Sequence, residues 1–133
     1  MRLSSLRGNP VVLYFYPKDD TPGCTTQACG IRDAYDEFRE RGAVVLGVSP
    51  DDEASHARFK SKFRLPFTLL ANPEHSIAEE YGVWVERTTG GEKAMGIERS
   101  TFVIDHEGNV ARAMRRVNPE THAGEVLEAL SSA

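Results

Sequence analysis

The sequence predicts an α/β protein in which a central mixed β-sheet is flanked by helices. Short apolar runs typical of buried strands alternate with segments of helical periodicity, and two strand-like runs near the C-terminus flank a turn-rich connection. The 133 residues are 40% apolar and 27% charged, a composition that supports one hydrophobic core. We therefore expect residues 1–133 to form a single domain.

The first third of the chain predicts a strand and a long helix. Residues 11–16 are a continuous run of β-branched and aromatic side chains, as in strands that are buried on both faces of a partly parallel sheet. Residues 18–23 are turn formers. Apolar residues then recur every three or four positions from 24 to about 41, which predicts a helix that Gly42 stops.

The middle of the chain repeats this order. Residues 43–49 predict a second buried strand, and Asp51 or Asp52 is expected to cap a helix that reaches about Phe63. The two strands and the helix between them form a βαβ unit. Weaker patterns predict a short strand at 67–70, a short helix at 76–81 and a loop over the polar stretch that contains Gly90 and Gly91.

The C-terminal part predicts a β-hairpin and a closing helix. Residues 100–104 and 110–114 have strand character and flank Asp105-His-Glu-Gly-Asn109, which contains the residues that hairpin connections favour. A last helix is expected at 119–130. Strand, helix, strand, helix, hairpin and helix is the order of a thioredoxin-like α/β sandwich.

Charge and hydropathy narrow the choice of partners and compartment. Sixteen Lys and Arg against twenty Asp and Glu leave a formal charge of −4, so the composition does not indicate nucleic acid or an anionic membrane as a partner. The longest apolar run, 11–16, is too short to span a bilayer, and residues 1–10 lack the apolar core of a secretory signal. We expect a cytoplasmic protein whose partners are small molecules or other proteins.

A cysteine follows the first predicted strand where the helix begins. In the string Pro17-Lys-Asp-Asp-Thr21-Pro-Gly-Cys24, Thr21 is a candidate cap and Cys24 falls in the first helical turn. A thiol there faces unpaired backbone N–H groups and the positive end of the helix dipole, and both favour the thiolate. The alternative is a small buried side chain without chemistry, and the strand–turn–helix placement argues against it.

Two motifs resemble a known family. Pro17-x-x-x-Thr21-x-x-Cys24 resembles the active-site signature of peroxiredoxins, and Tyr14-Phe-Tyr-Pro-Lys-Asp-Asp-Thr-Pro-Gly-Cys-Thr-Thr-Gln-Ala-Cys29 is similar almost letter for letter to the bacterioferritin-comigratory (Prx Q) branch. Gly96-Ile-Glu-Arg-Ser-Thr-Phe-Val-Ile-Asp105 resembles the segment of that family that bears the active-site arginine. The likeness runs from about Leu6 to the C-terminus.

The resemblance implies a thiol peroxidase that reduces hydrogen peroxide and organic hydroperoxides. Cys24 would be the peroxidatic residue, Pro17 would shield its thiolate from solvent, and Arg99 would pair with the thiolate and a substrate oxygen. Thr21 would hydrogen-bond the peroxide and orient Cys24, and the implied substrate site consists of Thr21, Gly23, Cys24 and Arg99. Donors of this kind are needed because charge builds on the O–O bond as it breaks.

The second cysteine has a different expected role. Cys29 lies five residues after Cys24, which is neither the Cys-x-x-Cys spacing nor a common zinc-ligand pair. In a regular helix their Cα atoms would be about 8 to 9 Å apart, beyond the limit of about 7 Å for a disulfide. The resemblance implies that Cys29 resolves the Cys24 sulfenic acid in an atypical 2-Cys cycle, so the first helical turns must unwind. A core-facing thiol is the alternative.

The implied cycle uses a protein partner and no cofactor. A dithiol protein such as thioredoxin or glutaredoxin would reduce the disulfide, no metal, haem or flavin is required, and the branch resemblance favours a monomer. Two other functions stay open: a redox-responsive binding protein, in which the disulfide signals to a partner, and a thioredoxin-like thiol exchanger, which the missing Cys-x-x-Cys disfavours.

The remaining polar candidates have simpler interpretations. The histidines share no ligand spacing with the cysteines, and no pattern brings one beside Cys24 as the base of a cysteine hydrolase. Adjacent acids in turns are usually turn formers and helix caps rather than metal ligands or carboxylate pairs. We therefore expect surface or turn positions for His56, His75, His106 and His122, and turn or cap roles for Asp19, Asp20, Asp51 and Asp52.

The chain departs from the family pattern in two segments. The family usually carries an additional β-hairpin, often with an Ala-Pro-x-Phe type sequence, before the strand that corresponds to 11–16. This sequence begins almost at that strand, so the domain is expected to lack the hairpin. Residues 83–93 also lack the aromatic-rich form of the family, which leaves the preferred peroxide open.

Overall fold

The computed structural model describes residues 8–72, 74–89, 91–115, 117–118 and 120–132. In chain order the elements are β1 (Val11–Phe15), α1 (Pro22–Asp33), α2 (Tyr35–Glu40), β2 (Val44–Ser49), α3 (Glu53–Phe63), β3 (Thr68–Ala71), α4 (Ser76–Glu80), β4 (Trp84–Thr89), β5 (Glu92–Ile97), β6 (Ser100–Ile104), β7 (Val110–Met114) and α5 (His122–Ser132). Among these residues no helix is long and apolar enough to cross a bilayer.

A five-stranded mixed sheet organises the molecule. Its strand order is β3-β2-β1-β6-β7. β1 pairs in parallel with β2 and antiparallel with β6, and all five β1 residues are buried, as the continuous apolar run predicts. β6 and β7 pair antiparallel around the 105–109 connection. The predicted sheet flanked by helices is confirmed.

The two faces of the sheet carry separate cores. Alternate residues of a strand point to opposite faces, so Val12 and Tyr14 pack with Ile31 of α1 and Val126 of α5. Leu13 and its β1 neighbours Val11 and Phe15 pack instead against the other cluster, which includes Ala78, Val83, Ile97 and Phe102. Cys24 belongs to the first cluster, so the predicted active-site thiol lies on the face covered by α1 and α5.

The predicted long helix is divided. α1 and α2 meet at Ala34, whose φ of −99° and ψ of 9° depart from helical values. The apolar spacing continues across this residue, and Phe38 of α2 is fully buried, so the periodicity did not reveal the break. The predicted helix after β2 is confirmed, and the Asp52 carboxylate caps it by accepting a hydrogen bond from the Ser55 backbone N–H (2.8 Å).

The prediction of a loop around Gly90 and Gly91 is wrong. β4 and β5 form a separate two-stranded antiparallel sheet, paired from Trp84 with Ile97 to Thr89 with Glu92. Strands joined at a Gly-Gly pair are a recognised hairpin pattern, which the polar composition obscured. The last helix begins at His122 rather than at Pro119, a residue outside those described.

Candidate active site

The turn between β1 and α1 presents Cys24 at the start of a helix. Pro22 occupies the first helical turn, where its missing N–H costs no hydrogen bond, and Cys24 lies two residues further on. The Thr25 N–H makes the first helical bond, to the Thr21 carbonyl (2.8 Å). The preceding N–H groups, those of Gly23 and Cys24, have no intrahelical acceptor because they lie in the first turn.

Thr21 occupies the predicted N-cap position, but its side chain does not cap the helix. The hydroxyl donates instead to the Lys18 carbonyl within the turn (2.9 Å). The first turn contains no acidic residue either. The start of α1 therefore offers its N–H groups and positive dipole end to an anion near Cys24 rather than to a side chain of its own.

Arg99 contacts the sulfur of Cys24 from a distant part of the sequence. It lies between β5 and β6, and its Nη2 is 3.3 Å from Cys24 Sγ. The Arg99 carbonyl accepts from the Val117 N–H (3.0 Å), which holds this short connection in place. The structure thus joins the two motifs of the sequence, and the guanidinium is positioned to stabilise a thiolate.

Gln27 is a site residue that the sequence analysis missed. Its Oε1 accepts from Arg99 Nη1 (2.6 Å), and the side chain is fully buried. Its Nε2 is also buried, without a hydrogen-bond partner among the described residues. Gln27 lies three positions after Cys24 and so shares its face of α1. A polar residue at a core-facing helical position was the signal that was available.

The remaining predicted site residues differ from Cys24 in their exposure. Cys24 is 1% exposed, whereas Pro17, Gly23 and Cys29 are half-buried. Both cysteines are free thiols and α1 is continuous through both. The structure therefore represents the reduced, folded site, in which the two sulfurs are held apart by the helix.

Two histidines contradict the prediction of surface positions. His122 is fully buried, with Nε2 2.5 Å from Thr101 Oγ1. Burial, with a further contribution from the charge of Arg99, lowers the pKa of His122 to about 4, so the ring is neutral at pH 7. His56 is 5% exposed. Among the described residues, none of the histidine side-chain hydrogen bonds involves Cys24.

Asp19 also contradicts its prediction as an ordinary turn former. Its carboxylate is buried and accepts hydrogen bonds from Tyr16 Oη (2.5 Å), Ser55 Oγ (2.7 Å) and His56 Nδ1 (2.7 Å). The run of acids hid this role, because adjacent Asp20 is exposed and pairs with Lys62 at the surface. Within the described part of the chain, no three His, Cys, Asp or Glu side chains are grouped to hold a metal ion.

Comparison with known proteins gives a consistent assignment. Residues 1–113 match the AhpC/TSA family. Peroxiredoxin Bcp of Bacillus subtilis (strain 168) is 49% identical over 130 residues, which cover 98% of this chain and 83% of the relative. Peroxiredoxin Q, chloroplastic, of Oryza sativa subsp. japonica is 46% identical over 133 residues, which cover 98% of this chain and 58% of the relative.

Solved structures show the same similarity in three dimensions. A cysteine-to-serine mutant of Xanthomonas campestris Peroxiredoxin Q superposes with a TM-score of 0.95 at 39% identity, covering 99% of this chain and 84% of that one. A trapped intermediate/ligand complex of the Xanthomonas campestris Bacterioferritin Comigratory Protein, which concerns alkyl peroxide reduction, has a TM-score of 0.94 with the same identity and coverage. With the geometry around Cys24, these matches show that the chain belongs to the AhpC/TSA family and, within it, to the Bcp and Prx Q branch of the peroxiredoxins.

Proposed function

We propose that this thiol-dependent peroxidase reduces hydrogen peroxide and organic hydroperoxides at Cys24 and resolves the product with Cys29. One observation carries the proposal: the Arg99 guanidinium lies 3.3 Å from the Cys24 sulfur while Gln27 holds its other nitrogen. A buried thiol beside a fixed cation and uncapped helix N–H groups is suited to react as a thiolate. The alkyl peroxide reduction named for the Xanthomonas campestris relative supports the substrate class.

In the first step the Cys24 thiolate attacks the terminal oxygen of the hydroperoxide. The S–O bond forms as the O–O bond breaks, and the departing alkoxide or hydroxide takes up a proton and leaves as alcohol or water. Arg99 and the N–H groups of Gly23 and Cys24 stabilise the charge that moves onto these oxygens. The Thr21 hydroxyl would bind the peroxide by turning from its present acceptor, the Lys18 carbonyl.

In the second step the Cys29 thiol attacks the Cys24 sulfenic acid. The S–S bond forms, the S–O bond breaks and water is released, so the peroxide's two oxidising equivalents are stored in the disulfide. The helix must unwind first, because an intact α1 keeps Cα atoms five positions apart at about 8 to 9 Å. Cys29 is half-buried, so its movement towards Cys24 does not expose a fully buried side chain.

A dithiol protein of the thioredoxin or glutaredoxin type completes the cycle. One of its thiolates attacks the Cys24–Cys29 disulfide, which forms a mixed disulfide and releases one cysteine as a thiolate. Its second thiolate then attacks the mixed disulfide, which releases the other cysteine and leaves the partner with an internal disulfide. We propose that this takes place in the cytoplasm, where such reductants keep thiols reduced, and that a monomer suffices because the residues used all lie in one chain.

Rates for the wild type, Cys24→Ser and Cys29→Ser test the two cysteine roles. Peroxide consumption with thioredoxin, its reductase and NADPH is expected to vanish in Cys24→Ser, which lacks the nucleophile. Cys29→Ser is expected to keep one rapid oxidation and lose turnover, since no disulfide is offered to thioredoxin. Peptide mapping after one equivalent of peroxide is expected to find Cys24 joined to Cys29 in the wild type.

Two results would contradict this proposal. A persistent Cys24 sulfenate, or only an intermolecular disulfide, in the oxidised wild type would exclude Cys29 as the resolving residue. A single stoichiometric oxidation without turnover, with both thioredoxin and glutaredoxin systems, would favour a redox-responsive binding protein over a peroxidase that cycles.

A further inference from the structure

A buried ion pair joins α3 to the turn that precedes the active-site helix. Asp19 and His56 are 7% and 5% exposed, and Asp19 Oδ2 is 2.7 Å from His56 Nδ1. Asp19 lies in the 17–21 turn, and His56 lies on α3, which contributes no residue to the site around Cys24. Neither side chain has a part in the peroxidase steps described above.

The surroundings of His56 favour its protonated form. Its second ring nitrogen, Nε2, is 3.0 Å from the Leu70 carbonyl, so each nitrogen faces an acceptor. A neutral imidazole donates from one nitrogen only, whereas an imidazolium donates from both. Burial alone would lower the pKa of His56, but the hydrogen bond and charge of Asp19 and the Leu70 carbonyl outweigh it and raise the pKa. The other titratable groups near the ring are Tyr16 and Asp51, with Glu53 and Lys60 lining the adjacent cavity.

Asp19 is correspondingly held as a carboxylate. Burial alone would raise its pKa, but the hydrogen bonds from His56, Tyr16 and Ser55 outweigh it and lower the pKa. The Asp19 backbone N–H also donates to Asp51 Oδ2 (2.7 Å). Separating Asp19 from His56 is costly, because each would then be an uncompensated charge in the interior.

The pair fixes the position of the whole turn. Its bonds join the turn to α3 through His56 and Ser55, and through His56 to the backbone of β3 at Leu70. Thr21 and the first residues of α1 follow within five positions. The neighbouring pair Asp20–Lys62 joins the same turn to the same helix (2.7 Å), but both partners are exposed. An exposed pair contributes little, so the anchoring rests on Asp19 and His56.

We propose that Asp19 and His56 are positioning residues for the peroxidase reaction: the pair holds the 17–21 turn against α3 and thereby keeps Cys24 in the folded first turn of α1, where Arg99 contacts its sulfur. This inference rests on the proposed function, because it assigns the pair a role in the equilibrium between the folded and the unwound first turn of α1. Attack on peroxide requires the folded turn, and closure of the disulfide requires the unwound one. Loosening the pair therefore slows the first step and favours the second.

Three variants test the pair and one serves as its control. Asp19→Asn removes one charge with little change in volume, His56→Asn removes the other together with the imidazole ring, and the double variant removes both. Lys62→Ala breaks the exposed pair between the same turn and helix and is the matched control. Urea unfolding curves establish that each variant is folded under the assay conditions, so that a rate change does not reflect unfolded protein.

The first readout is the rate constant for oxidation of Cys24 by hydrogen peroxide, measured in a Cys29→Ser background by quenched-flow alkylation of the remaining thiol. Since small misplacement of reacting groups is costly, we expect about a tenfold decrease in Asp19→Asn and in His56→Asn. The double variant is expected to lose no more than either single variant, because the two residues act as a unit. Lys62→Ala is expected to retain the wild-type rate.

The second readout uses chains that retain Cys29. Under excess peroxide the Cys24 sulfenate either reacts with Cys29 or takes a second oxygen from peroxide, which is reduced to water as the sulfinic acid forms. A looser turn unwinds more readily, so the sulfinic fraction, measured by mass spectrometry, is expected to fall in both single variants. Mere loss of stability would not slow one step and favour the other in a folded protein.

The outcomes separate this inference from the proposed function. Wild-type oxidation rates in both single variants, a double variant whose loss is the product of the two single losses, or an unchanged sulfinic fraction would overturn the positioning role. Absence of a Cys24–Cys29 disulfide in the wild type would contradict the resolving role of Cys29 instead. The oxidation rates in the Cys29→Ser background would still test the pair in that case.

Discussion

Arg99 reaches Cys24 from 75 positions away in the sequence, and its two terminal nitrogens have separate tasks. Nη2 faces the sulfur at 3.3 Å, and Nη1 is held by buried Gln27 at 2.6 Å. A planar guanidinium can make both contacts at once, whereas an ammonium is a single point of charge. The positive charge at the sulfur is therefore fixed in direction as well as in sign.

Arg99→Lys is expected to lower the rate constant of Cys24 oxidation by about 10²–10³-fold, the usual loss when one donor to a developing charge is removed. The rate is measured with hydrogen peroxide in the Cys29→Ser background. Arg112→Lys, at an exposed position in β7, is the control and is expected to react at the wild-type rate. Equal rates for the two variants would mean that charge alone, without the fork geometry, is sufficient at this position.

In the central sheet, side chains of β1 and β3 pack over Gly47 of β2. Gly47 pairs with Tyr14, and a Cβ added there would lie 2.9 Å from Leu69 Cδ2 and from the Cζ and Oη atoms of Tyr14. The Tyr14 ring is fully buried, in the same core cluster as Cys24. Glycine at this position thus provides the space that the Tyr14 ring occupies.

Gly47→Ala is expected to reduce the free energy of unfolding by about 1 to 3 kcal/mol, the usual cost of an added methyl group in a packed core. Gly124→Ala is the matched control. Its added Cβ would meet no atom within 4 Å in α5, so a gain of about 0.5 to 1 kcal/mol is expected from reduced backbone entropy. Urea denaturation measures the free energy of unfolding of both variants. An unchanged value for Gly47→Ala would show that β2 shifts to accommodate the added methyl group.

The break at Ala34 and the hairpin of β4 and β5 show why some elements were not predicted. Helical periodicity reports which side of a helix is apolar, and that side is continuous across Ala34, so the sequence pattern does not show the bend. The β4–β5 strands form their own two-stranded sheet and have a polar composition, so they lack the apolar signature of the central sheet. Yet it is β5 that leads the chain to Arg99.

At the scale of the whole molecule, two buried histidines oppose each other in their effect on stability. The pKa of His122 is lowered by burial to about 4, so below the unfolded value of 6.5 the unfolded chain takes up a proton that the native chain does not bind. The pKa of His56 is raised, so its stabilisation is complete below 6.5 and is lost as the pH rises through the raised value. Together, the two pKa shifts favour a maximum in the free energy of unfolding near pH 6.5, the pKa of a histidine in the unfolded chain.

Urea unfolding over a range of pH tests this balance. Because of His122, the free energy of unfolding of the wild type is expected to fall by about 3 kcal/mol between pH 6.5 and 4. His122→Gln, which keeps a polar group near Thr101 Oγ1, is expected to lack this decrease. His56→Asn is expected instead to reduce the decrease in the free energy of unfolding that the wild type shows as the pH rises above 6.5. His106→Gln, whose side chain is 70% exposed, is the control and should follow the wild type at every pH. If the free energy of unfolding of His122→Gln fell below pH 6.5 as steeply as that of the wild type, His122 would not be neutral in the native protein.

Much of the architecture and part of the site follow from local patterns. The buried β1 run, the turn formers after it and Cys24 in the next helical turn are neighbours in sequence, so their spacing was enough to predict a strand–turn–helix site in a thioredoxin-like sheet. The cap of α3 could be narrowed to Asp51 or Asp52 for the same reason, because a cap bonds to an N–H a few residues away, and Asp52 is the one that caps the helix.

Contacts between residues distant in sequence could be decided only by the tertiary structure. Gln27 meets Arg99 over 72 positions, and Asp19 meets His56 over 37. His122 is buried only because α5 packs beside α1 and β6. Residue type and periodicity specify which face of an element is apolar. A polar side chain, however, can be buried only where a hydrogen-bond partner compensates the loss of water, and the packing of distant elements determines which partner that is.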